Sequence, residues 1–315
     1  MNPTLQGYSA RVIESAGSAA LAGIAADLEK VEQLVLAHPP LRAALSDTAV
    51  PGTARRAVLL DLLEGKVAPE ARRLAAFAVG AVTAPEVPGA LAWVATRVRH
   101  AAEGRGFEEP SLSLLQARQR VAGYATALHE DLTTAELESL EDDLFRFARI
   151  VAATPALRSA LTDRDLEVAA RQGLVNQLLG GKVPDTSVAL ARYAVTGGRA
   201  RDIVGTLDYL VEQTAQARGW RIAHVRSAAP IEDDQQAQMR DSLRSLTGGP
   251  VELQVEIDES LLSGALIRIG DLQVDATARG RIDALREHLM PAGWEPAGFG
   301  AAARGHMTSK TEGAD

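Results

Sequence analysis

The segment LLGGKVPD, from Leu178 to Asp185, comes closest to a nucleotide-binding loop in this sequence. Such a loop holds phosphate with backbone N–H groups, a Lys side chain and the hydroxyl of a Ser or Thr that follows the Lys. Here Asn176 stands where the first Gly of the motif should be, and Val183 replaces the hydroxyl residue after Lys182. The spacing therefore predicts that no nucleotide binds to this segment.

Other catalytic and metal-binding chemistries have as little support. The chain contains no Cys, which removes thiolate nucleophiles, thiolate metal ligands and disulfides. Its six His residues never recur at i and i+4 with a carboxylate between them, and no G-x-S-x-G turn exposes a serine. The densest acidic cluster, Glu141 to Asp143, lies in no motif, so we interpret it as solvated surface. We predict no catalytic residue, no cofactor and no metal.

The composition indicates a folded, mainly helical protein. Hydrophobic residues make up 46 % of the 315 residues and aromatic residues only 4 %, which suits packing between helices. The net charge of −8 and the lack of a dense Lys/Arg run argue against nucleic acid as a partner. No stretch approaches the roughly 20 apolar residues of a membrane span, and the start resembles no signal peptide. We expect a cytoplasmic protein that meets membranes only through a partner.

An internal duplication organises the chain. HPPLRAALSD begins at His38 and TPALRSALTD begins at Thr154, an offset of 116 residues (154 minus 38), and the same offset relates the two GKV segments. Roughly three in ten aligned positions are identical, which is too many over such a length for chance. The shared GKV predicts a helix end with Gly65 or Gly181 in the left-handed cap position.

Helical and strand periods divide the chain into four parts. Two tandem six-helix bundles are expected at 1–104 and 105–219, and in the second the helices lie near 116–131, 133–152, 155–162, 165–180, 185–197 and 201–218. VELQVEI from Val251 alternates strictly, which predicts a half-buried strand. We therefore expect a small α/β domain at 220–290, followed by a disordered tail at 291–315.

The stretch from Val255 to Leu289 resembles the signature of the ATP synthase delta subunit and of its mitochondrial counterpart, the oligomycin-sensitivity-conferring protein. Ser263 departs from this pattern, and so do Ala276 and Thr277. RVAGYATAL, at Arg120 to Leu128, resembles the opening helix of the same family. The duplicated helical domain is similar to that of actinobacterial delta subunits. The positions that fit the signature are Asp258, Leu261, Gly264, Gly270, Asp271, Asp275, Arg279, Arg281 and Leu285.

The resemblance implies a non-catalytic peripheral-stalk subunit on the cytoplasmic face of the membrane. In this family the helical domain grips N-terminal helices of the alpha subunits, and the C-terminal domain meets the C-terminal end of the b subunit. The resemblance further implies a groove between the first and fifth helices of the second copy. A bundle core would give the same apolar stripe, so both interpretations stay open. The groove residues are Val121, Tyr124, Ala125, Leu128, Ile203, Leu207, Leu210 and Val211.

The second copy is expected to carry the essential grip, because it immediately precedes the C-terminal domain. The first copy has Ser9 and Arg11 where the second has Ala125 and Ala127, which predicts a less apolar groove. The sequence shows no membrane anchor, so the stalk subunit is expected to be a separate protein. Two alternatives remain: a helical adaptor unrelated to ATP synthase, and an enzyme whose site has no recognisable motif.

Overall fold

A computed structural model of the chain describes residues 2–106, 112–163, 165–197, 202–247, 250–258, 260–261, 263–269 and 272–275. The chain forms two compact units, Met1–Trp220 and Arg221–Asp315. The mainly helical character and the small sheet that the sequence predicts are both present. The two helical copies, which we expected as tandem domains, pack together within the first unit.

The first copy contains α1 (Pro3–Ala37), α2 (Pro39–Leu45), α3 (Gly52–Leu62), α4 (Pro69–Ala81) and α5 (Val87–Ala102). A short 3-10 helix, Ala84–Glu86, precedes α5. Gly17 has a φ of 68° inside α1 and divides it into two helical segments. Only Gly adopts this backbone conformation at little cost, so the kink lies where the sequence allows it. The described residues of this copy therefore form six α-helical segments besides the 3-10 helix.

The second copy repeats this arrangement with α6 (Leu114–His129), α7 (Thr134–Ala153), α8 (Pro155–Thr162), α9 (Val168–Leu179), α10 (Asp185–Gly197) and α11 (Ile203–Ala217). These bounds lie within three residues of the predicted ones. Thr133 and Glu136 form a capping box, in which each side chain bonds the other residue's backbone N–H. Pro155 occupies the first turn of α8, where no amide donor is needed.

The two GKV segments end helices, as the sequence predicts. Gly65 has a φ of 66° and Gly181 a φ of 70°, both in the left-handed region. Lys66 Nζ donates to the carbonyl of Leu62 at 2.8 Å, and Lys182 Nζ donates to the carbonyl of Leu178 at 2.9 Å. The lysine that a phosphate loop would need therefore caps the end of its own helix.

The C-terminal unit contains β1 (Arg221–Ser227), α12 (Asp233–Thr247), β2 (Val251–Ile257), β3 (Ala265–Ile269) and β4 (Leu272–Asp275). The described strands form one sheet in the order β2-β1-β3-β4, with β1 and β2 parallel and the other pairs antiparallel. A parallel pair needs a crossover, and α12 supplies it. The apolar side of β2 is not buried evenly along the strand. Val251, at its start, is buried, whereas Ile257, at its end, is 54 % exposed.

Parts of the predicted C-terminal region lie outside the described residues. They include residues 276–290 of the expected α/β domain and the tail at 291–315. Within the unit, a small core joins α12 to the sheet through Leu243, Ala223, Val225 and Ile267.

Candidate subunit interface

The eight predicted groove residues lie in the interior of the helical unit. None is more than 2 % exposed. Of the two interpretations of this apolar stripe, a partner groove or a bundle core, the burial corresponds to the bundle core. Contact between these side chains and a partner stays a prediction, and it would require the helices around them to move apart. The residues are Val121, Tyr124, Ala125 and Leu128 on α6 and Ile203, Leu207, Leu210 and Val211 on α11.

The first copy covers the apolar face of α6. Helix α1 crosses α6 so closely that a Cβ on Gly7 would overlap the carbonyl oxygen of Arg120. The reciprocal contact has the same form, since a Cβ on Gly123 would overlap the carbonyl oxygen of Thr4. Glycine is required at both positions because any side chain would separate the two helices. Periodicity within α6 cannot reveal this crossing, because the covering helix lies in the other copy.

Two hydrogen bonds between tyrosine and glutamate flank the crossing. Tyr8 Oη donates to Glu130 Oε2 at 2.6 Å, and Tyr124 Oη donates to Glu14. Arg56 pairs with Glu130 at 2.5 Å, and Arg192 pairs with Glu14. Each carboxylate therefore receives a phenol and a guanidinium from the opposite copy. These contacts attach the two copies to each other in a defined register.

Each of these tyrosines also stacks on an aromatic ring of its own copy. Tyr8 lies 3.8 Å from Phe77 between ring centroids, and Tyr124 lies 4.0 Å from Tyr193. Burial raises the pKa of Tyr8, and the bonded Glu130 carboxylate raises it further. Burial and then Glu14 raise the pKa of Tyr124 in the same way. Both phenols therefore stay protonated as hydrogen-bond donors well beyond neutral pH.

The first copy's polar residues are accommodated within this contact. Ser9 is fully buried and donates its hydroxyl to the carbonyl of Gln6 at 2.9 Å, which satisfies its hydrogen-bonding requirement. The Arg11 guanidinium lies 6.0 Å from the centroid of the Tyr124 ring. Ser9 is therefore buried and Arg11 half-buried in this contact, and a weaker partner groove in the first copy stays a prediction.

The outward side of the same helix pair carries a different set of residues. Arg118 of α6 pairs with Asp202 at 2.6 Å, and its guanidinium lies against the backbone of Gly205. Tyr209 is half-buried one turn further along α11, where burial raises the pKa of its phenol and the Arg118 charge offsets part of that rise. Sequence reasoning missed this face. The only available signal was the alignment of Tyr209 with the aromatic Trp93 of the first copy.

In the first copy the corresponding face is more open. Gly89 is exposed, and a Cβ placed on it would meet nothing within 4 Å. Trp93 follows one turn later and is half-buried, with the Arg97 guanidinium 5.1 Å from its ring centroid. Each copy therefore has a glycine and an aromatic residue four positions apart on its last helix. At Gly205 the Arg118 and Asp202 side chains occupy the space that is open at Gly89.

The acidic cluster that we interpreted as solvated surface is partly interior, which corrects that interpretation. Glu141 is 2 % exposed and pairs with the equally buried Arg218 at 2.7 Å. Asp143 accepts a hydrogen bond from Ser187 Oγ at 2.8 Å, and only Asp142 lies in solvent. Aspartate and glutamate are usually exposed, so residue type alone predicts a surface position. Glu141 is buried because α7 packs against the end of α11, where Arg218 lies.

His129 illustrates the structural use of titratable groups in this unit. Its Nε2 lies 3.1 Å from Thr214 Oγ1, and that hydroxyl donates to the carbonyl of Leu210 at 2.8 Å. Because the Thr214 hydroxyl hydrogen is used in that bond, Thr214 Oγ1 accepts a hydrogen bond from His129 Nε2, which therefore carries a proton. Burial lowers the pKa of His129 to about 4. Among the described residues no cluster of His, Asp and Glu could hold a metal ion.

The family signature builds a turn at the ends of β1, β2 and β3. Asp258 accepts hydrogen bonds from Ser260 N and Oγ at 3.0 and 2.6 Å and pairs with Arg226 of β1. The Ser260 hydrogen bonds, followed by Arg226, lower the pKa of Asp258. Gly264 has a φ of 85° immediately before β3, and Leu261 N bonds the Asp258 carbonyl at 3.1 Å. The described residues of this turn use a carboxylate as hydrogen-bond acceptor and a glycine in the left-handed region.

The side chains of the remaining signature positions lie outside the described part of the structure. Asp275 ends β4, and only its backbone is described. Gly270, Asp271, Arg279 and Arg281 lie outside the described residues. No helix in the described part of the chain has the length and hydropathy of a bilayer span.

Comparison with known sequences finds relatives that align along most of the chain. The profile of the ATP synthase delta (OSCP) subunit family matches residues 121–289. The chain belongs to this family. Its relatives include proteins called ATP synthase subunit delta from Rhodococcus opacus, 32 % identical over 88 % of this chain and 91 % of that protein, and from Parafrankia, 33 % identical over 84 % and 86 %.

Two further similarities are partial. ATP synthase subunit delta of Thermobifida fusca is 37 % identical over 176 residues, which cover 56 % of this chain and 65 % of that protein. A chain in a cryo-EM structure of the Toxoplasma gondii mitochondrial ATP synthase hexamer aligns with a TM-score of 0.38 at 17 % identity, covering 54 % of this chain and 98 % of that one. Membership in the delta (OSCP) family rests on the profile match and on the relatives that align along most of the chain.

Proposed function

We propose that this delta-family chain is a non-catalytic peripheral-stalk subunit of a proton-translocating F-type ATP synthase. It would join the catalytic alpha/beta head to the b subunit and so prevent the head from turning with the rotor. The observation that carries the proposal is family membership across residues 121–289, together with relatives that match most of the chain. The chain would lie on the cytoplasmic face of the membrane and be attached to it only through the complex.

The two compact units suit two different partners. The helical unit, Met1–Trp220, would bind N-terminal helices of alpha subunits, and the unit that begins at Arg221 would bind the C-terminal end of the b subunit. A connection that holds against rotor torque needs high affinity, and a dissociation constant near nanomolar corresponds to roughly 12 kcal/mol. An amphipathic helix that lies in a groove with apolar anchors provides affinity of this order.

Burial of the predicted groove residues moves the expected contact to the outer surface of the same helices. In the second copy this surface comprises Arg118, Gly205 and Tyr209. The half-exposed Tyr209 has apolar area left for a partner to bury, and the Arg118–Asp202 pair beside Gly205 offers polar groups at the edge of that area. We therefore assign the essential alpha-subunit grip to the α6–α11 outer face.

A pull-down from detergent-solubilised membranes tests the proposal as a whole. The tagged full-length chain is expected to recover both the alpha subunit and the b subunit. Recovery of neither subunit would favour the alternative of a helical adaptor unrelated to ATP synthase. A turnover screen of the isolated chain is expected to show no ATP hydrolysis, since Lys182 already caps a helix.

Matched surface variants test the assignment to the second copy. Leu207 and the aligned Leu91 are both core residues, so a charge at either would unfold the protein rather than probe a contact. Tyr209→Asp should weaken alpha binding at least a hundredfold, because a buried unpaired charge costs several kcal/mol. Trp93→Asp, the aligned change in the first copy, should have less effect. Circular dichroism must show both variants folded, and the reverse order of effects would assign the grip to the first copy.

A further inference from the structure

The contact between the two copies is reciprocal. Adding the offset of 116 to Gly7 gives Gly123, and adding it to Thr4 gives Arg120, so the two close approaches at the helix crossing are the same contact made twice. Adding it to Tyr8 gives Tyr124, and adding it to Glu14 gives Glu130. The two Tyr–Glu hydrogen bonds are therefore also equivalent. Reciprocity of this kind is the property of an interface between identical subunits related by a two-fold axis.

The second copy contains both halves of every reciprocal contact. It provides the glycine at 123 and the carbonyl at 120, and it provides the phenol of Tyr124 and the carboxylate of Glu130. Arg192, which pairs with Glu14 in this chain, would meet Glu130 of another second copy in the same position. The face of α6 that α1 covers is therefore complementary to itself.

The first copy is less well matched to itself. Arg73 pairs with Asp131 at 2.7 Å across the copies, but the residue of the first copy aligned with Asp131 is Ser15. A pairing of two first copies would leave the Arg73 guanidinium without that carboxylate. Pairing between two second copies loses the same ion pair, because Ala189 aligns with Arg73. It leaves Asp131 without its partner, and this side chain is 42 % exposed, whereas the Arg73 side chain is 20 % exposed. An unpaired charge costs less where water reaches it, so the second copy is the better candidate for self-association.

We propose that the covered face of α6, comprising Arg120, Gly123, Tyr124 and Glu130, is a homotypic pairing surface whose partner is the same face of a second copy of this chain. In the intact chain α1 occupies this surface, and the protein stays monomeric. When the first copy's half of the contact is blocked, the second copies of two chains pair with each other. The property belongs to the helical unit by itself and does not depend on the stalk function.

Sedimentation velocity on full-length variants tests this inference. Gly7→Leu puts a side chain into the crossing between the two copies but does not touch a contact between two second copies. The variant is expected to sediment as a dimer at micromolar concentration, whereas the unmodified chain is a monomer. Gly7→Leu combined with Gly123→Leu blocks both surfaces and should be monomeric. A folded Gly7→Leu variant that stays monomeric would overturn the proposal.

A second pair of variants separates specific pairing from aggregation of an exposed apolar face. In the Gly7→Leu background Glu130→Ala removes the acceptor of Tyr124 and should weaken the dimer at least tenfold. Glu14→Ala, its aligned control, removes a carboxylate that the dimer does not use and should leave dissociation unchanged. Equal effects of the two changes, or no effect of either, would contradict the proposal.

Glu14→Arg provides a route that leaves the glycine crossing intact. Glu14 is 38 % exposed, so its replacement does not threaten the core, but an arginine there would face Arg192 and lose the acceptor of Tyr124. This variant should also shift toward a dimer, and adding Glu130→Ala should reverse the shift. A Glu14→Arg chain that remains monomeric with native circular dichroism would count against the pairing surface.

Discussion

Tyr8 and Glu130 lie 122 residues apart in the sequence and are joined by a hydrogen bond of 2.6 Å from the phenol to the carboxylate. Arg56 contacts the other oxygen of Glu130 at 2.5 Å. The phenol is inaccessible to solvent, whereas the carboxylate is partly exposed. A buried donor that bonds a charged acceptor stabilises the folded state more than a neutral pair does. The register between the two helical copies depends on this contact and on its counterpart at Tyr124.

Replacing Tyr8 by Phe should lower the free energy of unfolding by about 1.5 to 3 kcal/mol, because a hydrogen bond to a charged group is lost while the ring stack with Phe77 is kept. Urea unfolding followed by circular dichroism measures the change. Tyr209→Phe is the matched control, since its hydroxyl makes no hydrogen bond that the described structure records. Equal losses in the two variants would contradict the stabilising role of the Glu130 contact.

The unfolding free energy should fall as pH drops from 6.5 toward 4. His129 has its pKa lowered from an ordinary value of 6.5 to about 4, so in this range the unfolded chain takes up a proton that the folded chain does not. Stability from this group is therefore complete above pH 6.5 and is lost toward pH 4, with a slope of at most about 1.4 kcal/mol per pH unit. His129→Gln should reduce the slope in urea titrations at several pH values. An unchanged slope would show that carboxylates alone govern the acid range.

Gly181→Ala should destabilise the protein by about 1 kcal/mol, because a φ of 70° is unfavourable for any residue with a Cβ. Gly173 provides the control within α9, where a Cβ would meet nothing within 4 Å. Gly173→Ala should stabilise the protein by about 0.5 to 1 kcal/mol through helix propensity. Thermal unfolding of the two variants should therefore shift in opposite directions, and shifts of the same sign would be inconsistent with the left-handed cap.

Glu141→Ala should cost about 3 to 5 kcal/mol, because Arg218 would remain buried without its main carboxylate. Asp142→Ala, at the next residue, removes only an exposed pair with Arg146 and should change stability by less than about 0.5 kcal/mol. Chemical denaturation of the two variants measures the difference. If Glu141→Ala unfolds like Asp142→Ala, the buried pair contributes little.

The sequence alone determined the local architecture of this protein. The 116-residue offset predicted two equivalent sets of helices, the helical periods placed α6 to α11 to within three residues, and the alternation from Val251 placed β2. These signals are local, because helix and strand periods and turn residues act within a few positions along the chain. The signature from Asp258 to Arg281 likewise indicated the family, which the profile match shows.

Only the tertiary structure decided what covers each apolar face. The stripe of Val121, Tyr124 and Leu128 has the same period whether it meets a partner or another part of the chain, and α1 of the first copy covers it here. The residue type of Glu141 predicts an exposed position, but the side chain is buried because it forms an ion pair with Arg218. Amphipathic periodicity specifies that a face is buried and not which element buries it, since the covering element is a hundred or more residues away in sequence.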